Sequence, residues 1–204
     1  MATPPPSFEI HPLLHASGAR SYVVVEPSSR DALVVDPILE DLGEVLRVLG
    51  SRRATLRFVV DTHLHGDHLS AAALLREKTG AEVVMGAAAD CRVVTRRVGD
   101  GDVLALGETG LRVRAAPGLS PEAIVLQGPD VLFTGDTLLF GGLIILQNTW
   151  DCDLTAHLAT IRRLGEHPHD GLFPGHLTFS VSDGMRHIRV ALAALERGGI
   201  PPTL

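Results

Sequence analysis

One short run of this sequence, residues 62–68, contains three histidines and an aspartate. Imidazole nitrogens and carboxylate oxygens are the ligands that catalytic zinc and iron prefer in proteins. In an extended or turning segment, His63 and His65 can point to the same side and so can face one metal ion. Asp67 and His68 come next, at the start of a predicted helix, and can face a second ion. We therefore interpret this run, called the metal loop below, as a candidate metal-binding segment.

A buried strand and a helix are predicted to hold the metal loop between them. The apolar run 56–61 is typical of a buried strand, and the alanine- and leucine-rich stretch 69–79 predicts a helix that Gly80 caps. Further strands are predicted at 21–26, 32–36, 82–85, 103–106, 111–115, 123–126 and 131–133.

Three further helices are predicted at 39–49, 153–164 and 182–197. Gly50 is placed to end the first of them, and Asp153 and Ser182 are placed to cap the other two. This order of elements predicts a layered domain of the α/β or α+β class.

The metal loop has the pattern His-x-His-x-Asp-His, which resembles that of the metallo-β-lactamase superfamily. Residues 132–138 resemble the family segment that carries a metal-bridging aspartate, here Asp136. Residues 173–176 resemble the segment that carries its last histidine, here His176. The stretch 65–80 is most similar to the glyoxalase II and persulfide dioxygenase branches.

The resemblance implies an αββα four-layer sandwich, formed by one domain over residues 1–204 with residues 1–8 as a flexible tail. It also implies two adjacent metal positions. The implied ligands are His63, His65 and Asp136 at the first position, and Asp67, His68, Asp136 and His176 at the second. Asp67 and Asp136 are the predicted catalytic residues. One or two Zn²⁺ ions are the expected cofactor, with Fe²⁺ or Mn²⁺ as alternatives.

The sequence departs from the family at one ligand. The family usually has Pro-Gly-His-Thr-Pro-Gly, whereas residues 117–122 read Pro-Gly-Leu-Ser-Pro-Glu, so Leu119 occupies the place of a first-position histidine. Three alternatives stay open: a first metal on the remaining ligands, a single metal at the second position, or a substitute ligand. The candidate substitutes are Glu122, Cys152 and His157. We expect one tightly bound metal at the second position, with weaker binding at the first.

The expected function is a metal-dependent hydrolase whose metal-bound hydroxide attacks a thioester, ester or lactone-like carbonyl of a small molecule. One alternative is a non-haem iron sulfur dioxygenase. Family dioxygenases bind iron through the first loop histidine, the histidine replaced here and the bridging aspartate, so Leu119 counts against that activity. Another alternative is a metal-binding protein that has lost catalysis. Trp150, shortly after the apolar run 143–146, is the predicted substrate-binding residue, with simple packing of its ring as the alternative.

Composition narrows the possible partners and the compartment. The 204-residue chain has a formal charge of −6 and no Lys/Arg-rich run, which disfavours nucleic-acid binding. No apolar run is long enough to suggest a membrane span. The sequence has two cysteines, which form no Cys-x-x-Cys pair, and it shows no signal-peptide pattern. These observations predict a cytoplasmic location. The sequence leaves the oligomeric state open and is compatible with a homodimer.

Overall fold

The computed structural model describes residues 7–145 and 152–204. The helices of the described chain are α1 (Leu42–Arg52), α2 (Ala72–Thr79), α3 (Leu154–Leu164) and α4 (Gly184–Glu196), with short 3₁₀ turns at Leu39–Asp41 and Phe140–Gly142. Its strands are β1 (Glu9–Leu14), β2 (Arg20–Val25), β3 (Asp31–Val35), β4 (Thr55–Val60), β5 (Glu82–Gly86), β6 (Arg96–Val98), β7 (Val103–Leu106), β8 (Thr109–Ala115), β9 (Ile124–Gln127), β10 (Val131–Gly135) and β11 (Gly171–Pro174).

The strands form two sheets of mixed direction. The first has the order β1-β2-β3-β4-β5-β6, antiparallel as far as β3 and parallel from β3 to β6. The second has the order β11-β10-β9-β8-β7, antiparallel except for the parallel pair β10 and β11. Each parallel connection that uses a helix places that helix on an outer face.

Three apolar layers hold the sheets and helices together. The layer between the two sheets includes Val24, Leu33, Val60, Leu104, Leu126 and Phe133. Helices α1 and α2 bury their apolar stripes against the first sheet, through Val45, Val48, Leu49 and Leu75. Helices α3 and α4 cover the second sheet, through Ile161, Leu164, Ile188 and Leu195. The layers run helix, sheet, sheet, helix, so the predicted αββα sandwich is confirmed.

The amino-terminal part of the structure corrects the predicted tail. Residues 1–6 of that tail lie outside the described residues. Phe8, also assigned to the tail, is only 4% exposed and packs in the layer between the sheets. Strand β1 follows at once and pairs with β2, because burying a phenylalanine ring at its start anchors this edge strand. Among the described residues, no helix is long and apolar enough to cross a membrane.

Two predicted helix boundaries are wrong. Gly50 does not end α1, which continues to Arg52 and closes at Arg53 in the left-handed conformation, with φ of 50°. Ser182 does not cap α4, whose N-cap is Asp183. Asp153 does cap α3, because its side chain accepts a hydrogen bond from the amide of Ala156.

Candidate metal centre

The metal loop lies where strand ends from both sheets meet. The loop follows β4, whose parallel neighbour β3 ends directly before Asp36. Asp136 follows β10, and His176 comes shortly after its parallel neighbour β11. The amide of Ile124 donates to the carbonyl of Thr62 at 2.8 Å, which ties the second sheet to the loop. The carboxyl ends of parallel strands thus bring ligand types from distant segments to one edge.

The ligands predicted for the second position lie together. His176 Nδ1 is 2.8 Å from Asp136 Oδ1, and its Nε2 is 3.0 Å from Asp67 Oδ2. His68 Nδ1 lies 3.2 Å from Asp67 Oδ1. Ligand atoms of His65, Asp67 and His68 all lie within 4.8 Å of one another. These contacts link all four ligands predicted for the second position, and His65, predicted for the first position, lies beside two of them.

Buried atoms without partners support a metal at this place. Both ring nitrogens of His65 and both of His68 are buried and lack a hydrogen-bond partner among the described residues. Burying a polar atom without a partner costs free energy, so such atoms require an explanation. Two imidazoles beside Asp67 and Asp136 form a donor set that suits zinc or a similar transition metal. The residues therefore fit the metal that the loop pattern implies.

The first position is assembled less completely. His63 is buried, its Nε2 lies 3.6 Å from Asp136 Oδ2, and its ring lies 4.3 Å from that of His65. Leu119 is 1% exposed and offers only a hydrocarbon side chain. Asp136 thus contacts His63 of the first position and His176 of the second, as the predicted bridging role requires.

None of the three candidate substitutes joins the groups of ligand atoms that approach one another in the described chain. Oε1 of Glu122 already accepts hydrogen bonds from the Leu64 amide at 3.0 Å and from the Ser120 hydroxyl at 2.8 Å. His157 is fully buried, and its Nε2 donates to the Thr137 carbonyl at 2.7 Å. Cys152 is a half-buried free thiol.

A hydrogen-bonded chain behind the first position orients His63. Thr62 donates its amide to Asp36 Oδ1 at 2.7 Å and its hydroxyl to Asp36 Oδ2 at 2.9 Å. Because that hydroxyl hydrogen is used, the 3.0 Å contact with His63 Nδ1 has the imidazole as donor. Burial, together with the charge of nearby His65, lowers the pKa of His63 and keeps its ring neutral. Nε2 of His63 is therefore left unprotonated, with a lone pair toward Asp136.

Two buried carboxylates flank His65. Its Nε2 lies 3.3 Å from Asp36 Oδ1 and 3.8 Å from Asp61 Oδ1, near enough for charge attraction but outside hydrogen-bond geometry. Burial opposes a charge on His65, but these carboxylates outweigh it and raise its pKa to about 9. Burial raises the pKa of Asp61 to about 6, while the Ser70 hydroxyl donates to its carboxylate.

Asp36 and Asp61 were not among the predicted site residues. The available signal was their position, since each is the last residue of the predicted run of one of two neighbouring strands. Asp36 also has a left-handed backbone, with φ of 48°, which an aspartate tolerates better than most residues. A strained conformation kept at a strand end beside the metal loop is typical of a functional site.

Glycine is required beside Asp136 on both strands. Gly135 has φ of 49°, and a Cβ there would lie 2.3 Å from Thr62 Oγ1. A Cβ at Gly175 would lie 2.7 Å from Asp136 Oδ1. The Gly-Asp and Gly-His pairs in the sequence therefore reflect close packing around the carboxylate.

Charge at the second position is balanced by contact between acids and imidazoles. The hydrogen bond with Asp136 raises the pKa of His176. Burial alone would raise the pKa of Asp67, but contacts with His68 and His176 offset it and lower the pKa to about 2. Both ring nitrogens of His176 thus contact a carboxylate, so a metal ion that binds here has to take the place of one of these contacts.

An open cavity of about 260 Å³ gives access to the second position. The residues that line it are Gly66, Asp67, Asp136, Ile145, His176 and Leu204. Trp150, the predicted substrate-binding residue, lies outside the described residues.

Comparison with known proteins finds two kinds of enzyme. The mitochondrial persulfide dioxygenase ETHE1 of Homo sapiens is 32% identical over 167 residues, 76% of this chain and 63% of that protein. Hydroxyacylglutathione hydrolase of Rhodobacter capsulatus is 39% identical over 120 residues, 56% of this chain and 46% of that protein. The chain therefore spans between 46% and 63% of the length of these relatives.

A solved structure agrees with the sequence comparison. ETHE1 from Myxococcus xanthus matches with a TM-score of 0.83 and 28% identity, over 94% of this chain and 88% of that one. The sequence profile of the metallo-β-lactamase superfamily matches residues 17–176, which include the metal loop, Asp136 and His176. With this match, the chain belongs to the metallo-β-lactamase superfamily.

Proposed function

We propose that this protein is a metal-dependent hydrolase of a thioester, ester or lactone-like carbonyl, with one tightly held metal ion at the second position. The observation that carries the proposal is the contrast between the two positions. Asp67, His68, Asp136 and His176 are linked by pairwise contacts of 2.8–3.2 Å, whereas Leu119 replaces a ligand of the first position.

The residues that would hold the ion are Asp67, His68, Asp136 and His176. Zinc is the proposed ion, because two imidazoles and carboxylate oxygens are a usual zinc donor set. When bound, such an ion supplies Lewis acidity, which activates water and polarises a carbonyl.

The protein side chains prepare the site for that chemistry. Asp67 is held ionised, since its pKa is about 2, so its role is to accept a hydrogen bond from water and orient it. Asp136 is 4% exposed and fixes His176 through the 2.8 Å contact. The exposed side of Asp67 faces the cavity, where a small substrate can approach.

A sulfur dioxygenase is the second candidate, favoured by the similarity to persulfide dioxygenases over three quarters of the chain. The resemblance implies an iron site on His63, a histidine at position 119 and Asp136. With Leu119 in that place, two of those three ligands remain. Hydrolysis would use the second position, where the sequence keeps every ligand that the resemblance implies, and we favour it for that reason.

Elemental analysis combined with two assays separates the candidates. The purified protein is loaded with zinc or, without oxygen, with Fe²⁺. It is then tested for thioester hydrolysis and for oxygen uptake with a glutathione persulfide. We expect about one zinc ion per chain and hydrolysis without oxygen uptake. Oxygen uptake by the iron form would reverse the choice. Bound metal without turnover on either kind of substrate would favour a metal-binding protein that has lost catalysis.

A further inference from the structure

The cavity at the metal centre has two chemically different sides. Asp67, Asp136 and His176 line one side and belong to the ligand set. Ile145 and Leu204, which come from segments far apart in the sequence, line the other. A group that binds here therefore meets polar ligands at one end and hydrocarbon at the other.

Backbone pairing fixes the apolar side. The amide of Ile144 donates to the Pro202 carbonyl at 2.9 Å, and the amide of Leu204 donates to the Ile144 carbonyl at 3.1 Å. Thr203 and Ile144 form a parallel bridge between these bonds. The buried side chain of Ile144 anchors the pairing in the layer under α3 and α4. The side chain of Leu204 remains 65% exposed, although its backbone is held in place.

The side chains that line the cavity disfavour one class of substrate. None of the described residues that line it is an arginine or a lysine, and both of its side-chain carboxylates belong to the ligand set. The carboxylates of a glutathionyl group would find no cation in the lining that the structure describes. An uncharged apolar group, by contrast, can cover Ile145 and Leu204 and remove their side chains from water.

We propose that Ile145 and Leu204 form an apolar subsite, and that the substrate carries an uncharged, apolar acyl chain beside the reacting carbonyl. This inference rests on the proposed hydrolase function, whose product would be the carboxylate of that acyl chain. Leu204 and Ile145 are accordingly specificity-determining residues and take no part in the chemical step.

The test measures binding of product-like carboxylates to the zinc-loaded protein, by calorimetry, so that it does not depend on turnover. Acetate and hexanoate are the probes, because they share the carboxylate and differ only in chain length. A fully buried methylene tightens binding roughly threefold to fourfold, so partial burial of four predicts hexanoate at least about tenfold tighter than acetate.

Two variants identify the surface responsible. Leu204→Asp should remove the hexanoate advantage, so that the ratio of the two affinities falls toward one, while its added negative charge weakens acetate and hexanoate binding alike. The matched control is Val181→Asp, since Val181 is 71% exposed but does not line the cavity, and it should change neither affinity. Ile145→Asp, on the neighbouring segment, should act like Leu204→Asp.

The outcomes separate the subsite from the reaction. Equal affinities for acetate and hexanoate, or no measurable hexanoate binding, would overturn the subsite even if thioesters are hydrolysed. A hexanoate advantage that survives in Leu204→Asp and in Ile145→Asp would also overturn it. A hexanoate advantage that both variants abolish, without hydrolysis of any thioester, would support the subsite and reject the proposed reaction.

Discussion

The two metal positions, called the two halves of the metal centre below, differ in what each retains: the second keeps its predicted ligands, and the first keeps the hydrogen bonds that orient a ligand. At the second position the predicted ligands contact one another, and the resemblance implies that none of them is missing. At the first position the supporting chain from Asp36 through Thr62 to His63 is intact, while Leu119 has replaced a ligand. The orientation of a metal ligand and the presence of a full ligand set are therefore separable properties of this fold.

The largest effect is expected at Asp136, which contacts a ligand of each metal position. Asp136→Ala removes the carboxylate that contacts His63 and His176, so neither position keeps its arrangement. We expect turnover to fall by more than about a hundredfold, a loss at least as large as those seen when partners of metal ligands are removed. The measurement is thioester hydrolysis, with circular dichroism to verify that the helices are retained. Activity near the wild-type level would reject the shared role.

The second half is tested through its own histidines. His68→Ala and His176→Ala should each remove tight metal binding, because each takes an imidazole from the position with complete ligands. His187→Ala is the control, since His187 is also largely buried but its Nδ1 accepts a hydrogen bond from the amide of Gly141. The metal content of the three purified variants decides the question. Equal metal content in all three would contradict the proposed ligand set.

The first half is tested by restoring its ligand. Leu119→His should tighten metal binding at the first position by about 1–3 kcal/mol, the scale of an added charged interaction. The number of bound metal ions per chain should then rise toward two. Leu119→Ala is the control for the substitution itself: it should lower stability by about 2–5 kcal/mol and leave metal content unchanged. Two fully occupied positions in the wild-type protein would show that Leu119 costs the first position nothing.

The smallest effect is expected from a variant that lowers the stability of the fold but leaves metal binding unchanged. Asp153→Ala removes the cap of α3 and should lower the free energy of unfolding by about 1 kcal/mol, or the Tm by roughly 2–4 °C. Metal content and acetate affinity should stay at wild-type values, since Asp153 is not a proposed ligand. Thermal unfolding and elemental analysis of the same sample measure both. Loss of metal in this variant would mean that the cap supports the centre from a distance.

Local patterns in the sequence predicted a layered α/β domain, and the family resemblance added the sandwich and the assignment of the ligands. Valine-rich runs mark the central strands, and the metal loop begins right after one of them. The predicted helix 69–79 was too long at its start, since α2 begins at Ala72. Residues before it pair instead with the turn after β3, through bonds such as the amide of Leu39 to the carbonyl of Leu69 at 2.8 Å. Contacts between distant segments decide such a boundary.

The hydrogen bonds that orient His63 were not predicted from the sequence either, because they also depend on contacts between distant segments. Asp36 meets Thr62 only because β3 and β4 lie side by side. Strand β1 was missed because Pro12 interrupts its pattern and its pairing with β2 supplies the stabilisation. Leu204 reaches the cavity through pairing with Ile144, across a stretch of sequence that holds two helices.

Gly118, next to the replaced ligand, gives the centre a particular evolutionary freedom. It has φ of 139°, and a Cβ there would lie 2.3 Å from the Cα of His157, so helix α3 holds the backbone before residue 119 in one path. Asp153 adds a hydrogen bond from its amide to the Gly118 carbonyl at 2.8 Å. Whatever residue stands at 119 therefore starts from the same point in space. A substitution at position 119 can therefore change the number of metal ligands at the first position without moving the backbone, although it also changes a buried side chain.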